Sequence, residues 1–236
     1  MSNSELNIGG LVKLSTTDWP GKLVAVVFLQ GCPWRCTYCH NKDILDPKAP
    51  GVMPWEEVLA FLSKRRSLLD GVVFSGGEPL LSAGLISAIK DVRALGFVIG
   101  LHTGGGFPRR LATLLDSKLL DWVGLDIKHL PEKYVNVTGI HASGSAAWRS
   151  LQLVVQSGVN HEIRSTIDPT IHSREDVTEL IDILKSYRAF NGNRVQQHAL
   201  QEVRPIPTAF PQWRLADYLS EDNTPTSFDH ILQRAA

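Results

Sequence analysis

Apolar residues are distributed along this chain in two alternating patterns. Short continuous apolar runs, of which residues 23–29 (LVAVVFL) are the first, are typical of strands that are buried on both faces of a parallel sheet. Longer stretches, such as residues 53–66, carry apolar side chains at helical spacing. The chain is therefore expected to alternate buried strands with amphipathic helices.

Together the two patterns predict six strands and six helices. The strands are predicted at residues 23–29, 71–75, 97–101, 122–127, 162–166 and 194–200, and the helices at residues 53–66, 81–95, 108–115, 146–156, 174–187 and 228–234. Strands that alternate with helices form βαβ units, which give parallel pairing and right-handed crossovers. Six units are fewer than the eight of a closed barrel, so the predicted fold class is α/β, as a partial (β/α)6 TIM-like barrel.

The length of 236 residues suits one domain, and we expect a single core domain over residues 1–236. Residues 204–236 are predicted to be a C-terminal extension packed on the barrel. The start of this extension (RPIPTAFPQW) is punctuated by prolines and should cross the surface as an irregular segment.

Charge and composition narrow the class of partner. Lysine plus arginine and aspartate plus glutamate number 24 each, so the formal net charge is zero and no global field attracts nucleic acid or an anionic membrane. The basic runs at residues 64–66 and 109–110 are interpreted as solvated helix faces. The first residues (MSNSELNIGG) lack the pattern of a secretory signal, and no apolar run approaches the roughly 20 residues that span a bilayer. We expect a cytoplasmic protein with no nucleic acid and no membrane partner.

All three cysteines of the chain lie in one eleven-residue stretch, residues 31–41 (GCPWRCTYCHN). An odd number of cysteines in a reducing compartment favours cofactor ligation over disulfide bonds. Thiolates at this spacing, C-x3-C-x2-C, can hold an iron–sulfur cluster, and three ligands leave one iron of a four-iron cube open to a substrate. Zinc with His40 as fourth ligand is the competing interpretation, although His40 directly follows Cys39, which is awkward for one tetrahedral centre.

Residues that could carry chemistry also lie in or just beyond the later part of the other predicted strands. These are Gly76, Gly77 and Glu78, the stretch His102 to Gly105, Asp126 with Lys128, Arg164, and His198. Active sites of βα barrels lie at the carboxyl ends of the strands. The sequence therefore predicts that these residues and the cysteine loop share one site.

The motif C-x3-C-x-aromatic-C, with Tyr38 as the aromatic residue, resembles the signature of the radical S-adenosylmethionine (SAM) superfamily. Residues 17–41 (TDWPGKLVAVVFLQGCPWRCTYCHN) resemble the start of anaerobic ribonucleoside-triphosphate reductase activating proteins, which are glycyl-radical-enzyme activases. The resemblance implies one [4Fe–4S] cluster on Cys32, Cys36 and Cys39, and SAM as the second cofactor. It further implies an oxidoreductase that cleaves SAM reductively and forms a glycyl radical on a partner enzyme, with a low-potential donor such as flavodoxin or ferredoxin.

The same resemblance implies roles for single residues. Gly76, Gly77 and Glu78 would contact the SAM amino group, and Tyr38 would flank the adenine. Thr103, Asp126 and Lys128 would contact the ribose and the methionine carboxylate, and His198 would correspond to a SAM-contacting histidine of the activases. Each residue also has an ordinary structural interpretation: a strand-to-helix turn, a packed aromatic ring, surface residues at strand ends, and a hydrogen-bonded core histidine. His102 occupies the position at which pyruvate formate-lyase activases have an aspartate that helps to bind a monovalent cation.

The sequence also leaves open the roles of Arg164, His40 and Asn41, and two alternative functions. Arg164 could meet a carboxylate or the partner's backbone, or belong to a structural ion pair. His40 and Asn41 are expected to shape the cysteine loop by hydrogen bonding. The alternative functions are a small-molecule radical SAM enzyme such as 7-carboxy-7-deazaguanine synthase and, in another class, a non-catalytic iron–sulfur or zinc binding module.

Overall fold

The computed structural model describes residues 6–205 and 208–219. Its strands are β1 Ile8–Ser15, β2 Val24–Leu29, β3 Gly71–Gly76, β4 Val98–Thr103, β5 Trp122–Asp126, β6 Asn160–Ile167 and β7 His198–Glu202. Its α-helices are α1 Trp55–Ser63, α2 Leu85–Ala94, α3 Pro108–Asp116, α4 Tyr134–Thr138, α5 Ser143–Ser157 and α6 Arg174–Ser186. Short 3-10 turns occur at Lys42–Ile44, Pro79–Leu81, Pro131–Lys133 and Leu215–Tyr218.

The strands form one sheet in the order β1 to β7. β2 to β7 are parallel, and each pairs with the next strand in the chain, as the βαβ pattern predicts. β1 pairs antiparallel with β2 at one edge. The prediction of a partial barrel with six parallel strands is confirmed.

Three parts of the prediction differ from the structure. β1 and the five-residue helix α4 were not predicted. β7 begins four residues later than predicted, because residue 194 forms an isolated antiparallel bridge with Arg188 instead of joining the sheet. The helix predicted at residues 228–234 lies outside the described residues.

The sheet has two differently packed faces. The larger core fills the space between the sheet and the helices, where Ala25, Val27 and Leu29 of β2 are fully buried. A smaller cluster on the other face joins Val24 and Val26 to Trp19, which precedes β2. The Trp19 ring stacks on Trp122 with centroids 5.4 Å apart. The inner face is thus filled by aromatic rings near the amino ends of the strands.

The C-terminal segment packs on the barrel as far as it is described. Trp213 and Leu215 are buried against Ile167 of β6 and Val177 of α6. The Leu215 backbone N–H donates to the Glu202 carboxylate over 2.9 Å. In the described part of the chain, no helix is long and apolar enough to cross a membrane.

Replacement of Trp19 should destabilise the fold strongly, because its indole is buried and stacked on a second indole. We expect Trp19→Ala to lower the free energy of unfolding by about 3–5 kcal/mol, the usual cost of removing a large buried aromatic side chain. Trp19→Phe should recover part of this loss. Urea unfolding of the cofactor-free protein measures both changes. Phe190→Ala, at a side chain that is 88% exposed, is the control and should change stability by less than about 0.5 kcal/mol; equal effects of Trp19→Ala and Phe190→Ala would contradict the packing argument.

Candidate active site

A cavity of about 360 Å³ opens at the carboxyl ends of the parallel strands. Its walls come from the cysteine loop after β2, the turn after β3, and the ends of β4 to β7. Ten of the eleven residues to which the resemblance gives a cofactor role line it: Cys32, Cys36, Tyr38, Cys39, Gly76, Gly77, Glu78, Thr103, Asp126 and Lys128. As expected for a βα barrel, the carboxyl ends of the strands bring together residues that are up to 96 positions apart in the chain.

The cysteine loop is held by backbone hydrogen bonds at both ends. The Cys32 N–H donates to the Leu45 carbonyl over 3.0 Å, and the Thr37 N–H donates to the Val137 carbonyl over 3.1 Å. The Arg35 guanidinium donates to the Cys32 carbonyl over 2.7 Å. These contacts hold the loop in place without using the thiols, and all three cysteines are free.

Burial keeps the Cys32 and Cys36 thiols protonated in the cofactor-free protein. It raises the pKa of Cys32 to about 11, and it raises the pKa of Cys36 although the Lys128 ammonium acts against the rise. A bound cation reverses this preference, since a coordinating thiol loses its proton. In the described part of the chain no three His, Cys, Asp or Glu side chains converge on a position for a single metal ion. An iron–sulfur cube distributes its ligands over separate irons, and three free thiols on one cavity wall fit that donor set.

The turn after β3 lies directly against the start of the cysteine loop. Gly76 has a φ of +131°, and a Cβ atom there would lie 2.2 Å from the Leu29 carbonyl oxygen. A Cβ atom on Gly77 would lie 2.3 Å from the Gly31 carbonyl oxygen, which accepts the Glu78 N–H over 2.8 Å. Both glycines are therefore required by close backbone approach.

Glu78 is a buried carboxyl group on the cavity wall, with 2% of its surface exposed. Its oxygens accept hydrogen bonds from the Thr103 hydroxyl (2.7 Å), the Leu80 N–H (3.0 Å) and the Gly104 N–H (3.0 Å). Burial raises the pKa of Glu78 to about 7 despite these three donors. No cationic side chain of the described residues forms a salt bridge with it. This wall can therefore accept a positively charged or N–H-bearing ligand group.

Asp126 and Lys128 form an ion pair on the cavity wall, with Nζ 2.7 Å from Oδ2. Burial favours the neutral form of Lys128, but the Asp126 carboxylate and the neighbouring Tyr38, Cys36 and Tyr134 side chains together outweigh it. They hold the pKa of Lys128 well above its usual range, so the ammonium stays charged. The ammonium also lies 5.7 Å from the centroid of the Tyr38 ring. The Tyr38 hydroxyl is buried and has no hydrogen-bond partner among the described residues.

Further polar residues continue the cavity wall along the inner face of the sheet. His102 Nε2 lies 2.7 Å from the Asp18 carbonyl oxygen, and the Arg164 guanidinium lies 3.3 Å from the same oxygen. Arg164 also donates to Glu162 over 2.7 Å, so the ion-pair interpretation of Arg164 describes its contacts in the structure. Asp18 lines the cavity although no role was assigned to it; its place in the quoted DWPG stretch was the available signal.

His198 is not brought to the cavity. The β6–β7 register pairs it with Ile163, and its Nε2 lies 3.0 Å from the Ser165 hydroxyl on the buried face that does not line the cavity. Burial lowers the pKa of His198 to about 4, which keeps the ring neutral. The structure thus gives His198 the contacts of a core histidine and not those of a cavity-lining residue.

The two residues after Cys39 connect the loop to its surroundings. His40 Nε2 lies 2.7 Å from the Arg204 carbonyl oxygen, so it joins the loop to the C-terminal segment. The Asn41 side chain donates to the Gly76 carbonyl over 3.2 Å, so it joins the loop to the glycine turn. Sequence reasoning did not single out Trp34, which lines the cavity, or Tyr134, which packs on it at 5.9 Å. For Trp34 the signal was its position between two of the three cysteines.

Comparison with known proteins agrees with this geometry. The radical SAM superfamily model matches residues 26–187. The pyruvate formate-lyase-activating enzyme of Clostridium pasteurianum is 35% identical over 188 residues, 77% of each chain. A protein of Methanocaldococcus jannaschii named as a glycyl-radical enzyme activating enzyme is 31% identical over 186 residues, 75% of each chain.

The fold also resembles that of SuiB from Streptococcus suis, solved with bound SAM. The TM-score is 0.58 at 17% identity, over 80% of this chain and 40% of the longer SuiB chain, so this likeness concerns the fold alone. The family match covers more than half of the chain, and the two relatives extend over three quarters of it. The chain therefore belongs to the radical SAM superfamily, whose cofactors are a [4Fe–4S] cluster and SAM, and within it to the glycyl-radical-enzyme activating enzymes.

Proposed function

We propose that this enzyme cleaves SAM in the cavity at the barrel mouth and forms a glycyl radical on anaerobic ribonucleoside-triphosphate reductase. The observation that carries the proposal is the meeting of three free thiols, the glycine turn and the Asp126–Lys128 pair around one cavity. The reductase is proposed as the partner because residues 17–41 resemble the activating proteins of that enzyme.

In this proposal Cys32, Cys36 and Cys39 hold the [4Fe–4S] cluster. The bound and reduced cluster would supply the one electron that cleaves SAM reductively, and this chemistry would remove the glycine α-hydrogen as a hydrogen atom. Hydrogen bonds from the loop to Leu45 and Val137, and from Arg35 to the Cys32 carbonyl, would keep the cluster ligands in place. A low-potential donor such as flavodoxin or ferredoxin would supply the electron, and the reduced thiols suit a cytoplasmic enzyme.

Glu78 would orient the methionine part of SAM. Its carboxylate faces the cavity, held by Thr103 and the Gly104 N–H, so an amino group entering beside the cysteine loop meets an acceptor that is already oriented. Gly76 and Gly77 bring the backbone to the same place without side chains between it and the ligand.

The Asp126–Lys128 pair would bind the methionine carboxylate and the ribose of SAM. The charged Lys128 suits the methionine carboxylate, and Asp126, whose side chain is 40% exposed, can accept from the ribose hydroxyls. Tyr38, beside Lys128, would flank the adenine. His198 has no part in this proposal, because its ring lies away from the cavity.

Loss of any one cysteine should abolish the intact cluster. We expect Cys32→Ala, Cys36→Ala and Cys39→Ala to lose the four-iron absorption after anaerobic reconstitution. Each of three irons needs its own thiolate, and the chain has no other cysteine to replace the one removed. Iron and sulfide analysis with visible absorption checks this. Thr37→Ala, an exposed change in the same loop, is the control and should keep the full iron content. A wild-type protein that binds zinc and no iron–sulfur cluster would refute the assignment.

The affinity for SAM should rise with pH through the titration of Glu78. Its pKa of about 7 means that the accepting carboxylate is mostly protonated at pH 6 and mostly ionised at pH 8, so we expect about a tenfold gain across that range. Glu78→Gln should remove this component and weaken binding at pH 8, while leaving the iron content unchanged. The measurement is SAM titration of the reconstituted protein, followed by the EPR spectrum of the reduced cluster. Glu57→Gln on the exposed face of α1 is the control, and equal pH profiles for wild type and Glu78→Gln would remove Glu78 from the site.

The substrate should be a glycine in a polypeptide. Reduced enzyme, SAM and the anaerobic reductase should together give a protein-based glycyl EPR doublet, and deuterium from an α-labelled glycine should appear in 5′-deoxyadenosine. A reductase in which that glycine is replaced by alanine is the control and should give no doublet. If neither signal forms while 6-carboxytetrahydropterin is converted, the enzyme is a deazaguanine synthase; if pyruvate formate-lyase is activated instead, the partner assignment is wrong.

A further inference from the structure

The segment from Asp126 to Lys128 leaves the sheet at the end of β5, where its backbone must find partners outside the strand ladder. Buried side chains supply several of them. The Tyr134 hydroxyl accepts from the Lys128 N–H over 3.0 Å and donates to the Asp126 carbonyl over 3.2 Å. Ser165 donates to the Ile127 carbonyl over 2.6 Å. The one hydroxyl of Tyr134 thus joins the backbones of the two residues that form the ion pair.

A second buried side chain holds the same segment from the other side. His172 Nε2 lies 2.8 Å from the Lys128 carbonyl oxygen, and because a carbonyl can only accept, Nε2 carries the proton. His172 Nδ1 is then free to accept the Asp168 N–H at 3.1 Å. His172 is 2% exposed and stacks on His129, with ring centroids 4.5 Å apart, so its orientation is fixed by packing. Both polar backbone groups of Lys128 are therefore fixed by buried side chains.

Tyr134 also connects this segment to the cysteine loop. Its fully buried ring meets the Trp34 ring edge-on, with centroids 5.9 Å apart, and Trp34 lies between the first two cysteines. The helix that Tyr134 begins accepts the Arg35 and Thr37 N–H groups at its end, through the carbonyls of Thr138 and Val137. One five-residue helix therefore contacts both the loop that carries the thiols and the segment that carries the ion pair.

The placement of the ion pair depends on these bonds. Asp126 and Lys128 flank a single residue, so a rotation of the backbone between them would separate Nζ from Oδ2 and turn both side chains within the cavity wall. We propose that Tyr134, together with His172, is a positioning residue that holds Asp126 and Lys128 at a fixed place relative to the cysteine loop and thereby sets the affinity for SAM. The inference rests on the proposed function, because it takes Asp126 and Lys128 as SAM contacts. Neither Tyr134 nor His172 lines the cavity.

Removal of the Tyr134 hydroxyl tests the inference. Tyr134→Phe keeps the ring against Trp34 but leaves the Lys128 N–H and the Asp126 carbonyl without this partner. The dissociation constant and the KM for SAM should rise about tenfold, which is about 1.4 kcal/mol, while kcat at saturating SAM and the iron content stay near wild type. Calorimetric titration of reconstituted protein gives the dissociation constant, steady-state formation of 5′-deoxyadenosine gives kcat and KM, and urea unfolding gives stability.

The matched control is Thr138→Val, which removes a buried hydroxyl from the same short helix. That hydroxyl bonds to Ser143 and to the Tyr134 carbonyl and does not reach Asp126 or Lys128. It should lower stability but leave the affinity for SAM unchanged. If Tyr134→Phe binds SAM as wild type does, or if Thr138→Val weakens SAM binding equally, the inference is wrong.

His172→Phe provides a second test of the inference, which remains valid even if Tyr134→Phe does not fold. It keeps a ring of similar size beside His129 and removes the donor to the Lys128 carbonyl, so it should also raise the KM for SAM with kcat preserved. An unchanged KM in a folded His172→Phe protein would contradict the inference. Failure of the wild-type protein to bind SAM would overturn the proposed function and this inference together, whereas normal binding by wild type with no change in the variants overturns the inference alone.

Discussion

The close backbone contact between the ends of β2 and β3 is the constraint on which the rest of the site depends. The parallel register pairs Leu29 with Gly76, and the two chains then continue side by side, so that Gly31 accepts the Glu78 N–H. A side chain at Gly76 or Gly77 would overlap backbone atoms of the neighbouring strand end. The register of two adjacent strands therefore fixes the distance between the thiols and the Glu78 carboxyl group, which is the distance that a ligand bridging them must match.

The electrostatics of the cavity follow from the same burial. Lys128 keeps its charge because Asp126 accompanies it, and a buried ion pair is tolerated only when both partners are well placed. Burial raises the pKa of Glu78 to about 7, because the hydrogen bonds from its three neutral donors offset the effect of burial only in part. The buried thiols stay protonated. The buried wall of the cavity thus combines a compensated ion pair, two neutral thiols and a carboxyl group that titrates near neutral pH.

Sequence patterns predicted the parts of the fold that bury continuous apolar surface. β2 is fully apolar, so it was recognisable. β1 (IGGLVKLS) has glycines at its second and third positions and leaves Leu14 exposed at the sheet edge. Helix α4 has five residues, which is too short for a periodic pattern to identify. Its first residue, Tyr134, nevertheless contacts Trp34 and the Lys128 backbone. No sequence pattern indicates these two contacts, because they form only when the chain is folded.

Within the site, the motif residues could be predicted from the sequence. The face of the sheet on which a strand residue lies could not. Strand side chains alternate between the two faces, so an assignment to the cavity depends on the parity of the position. Asp126 is the last residue of β5, so it could be assigned to the barrel mouth without knowing which face of the sheet it occupies. His198 stands in QQHALQ, where no alternation of polar and apolar residues reveals which positions face inward, and the structure turns Ala199 and Gln201 to the side of Arg164 and Thr166 instead.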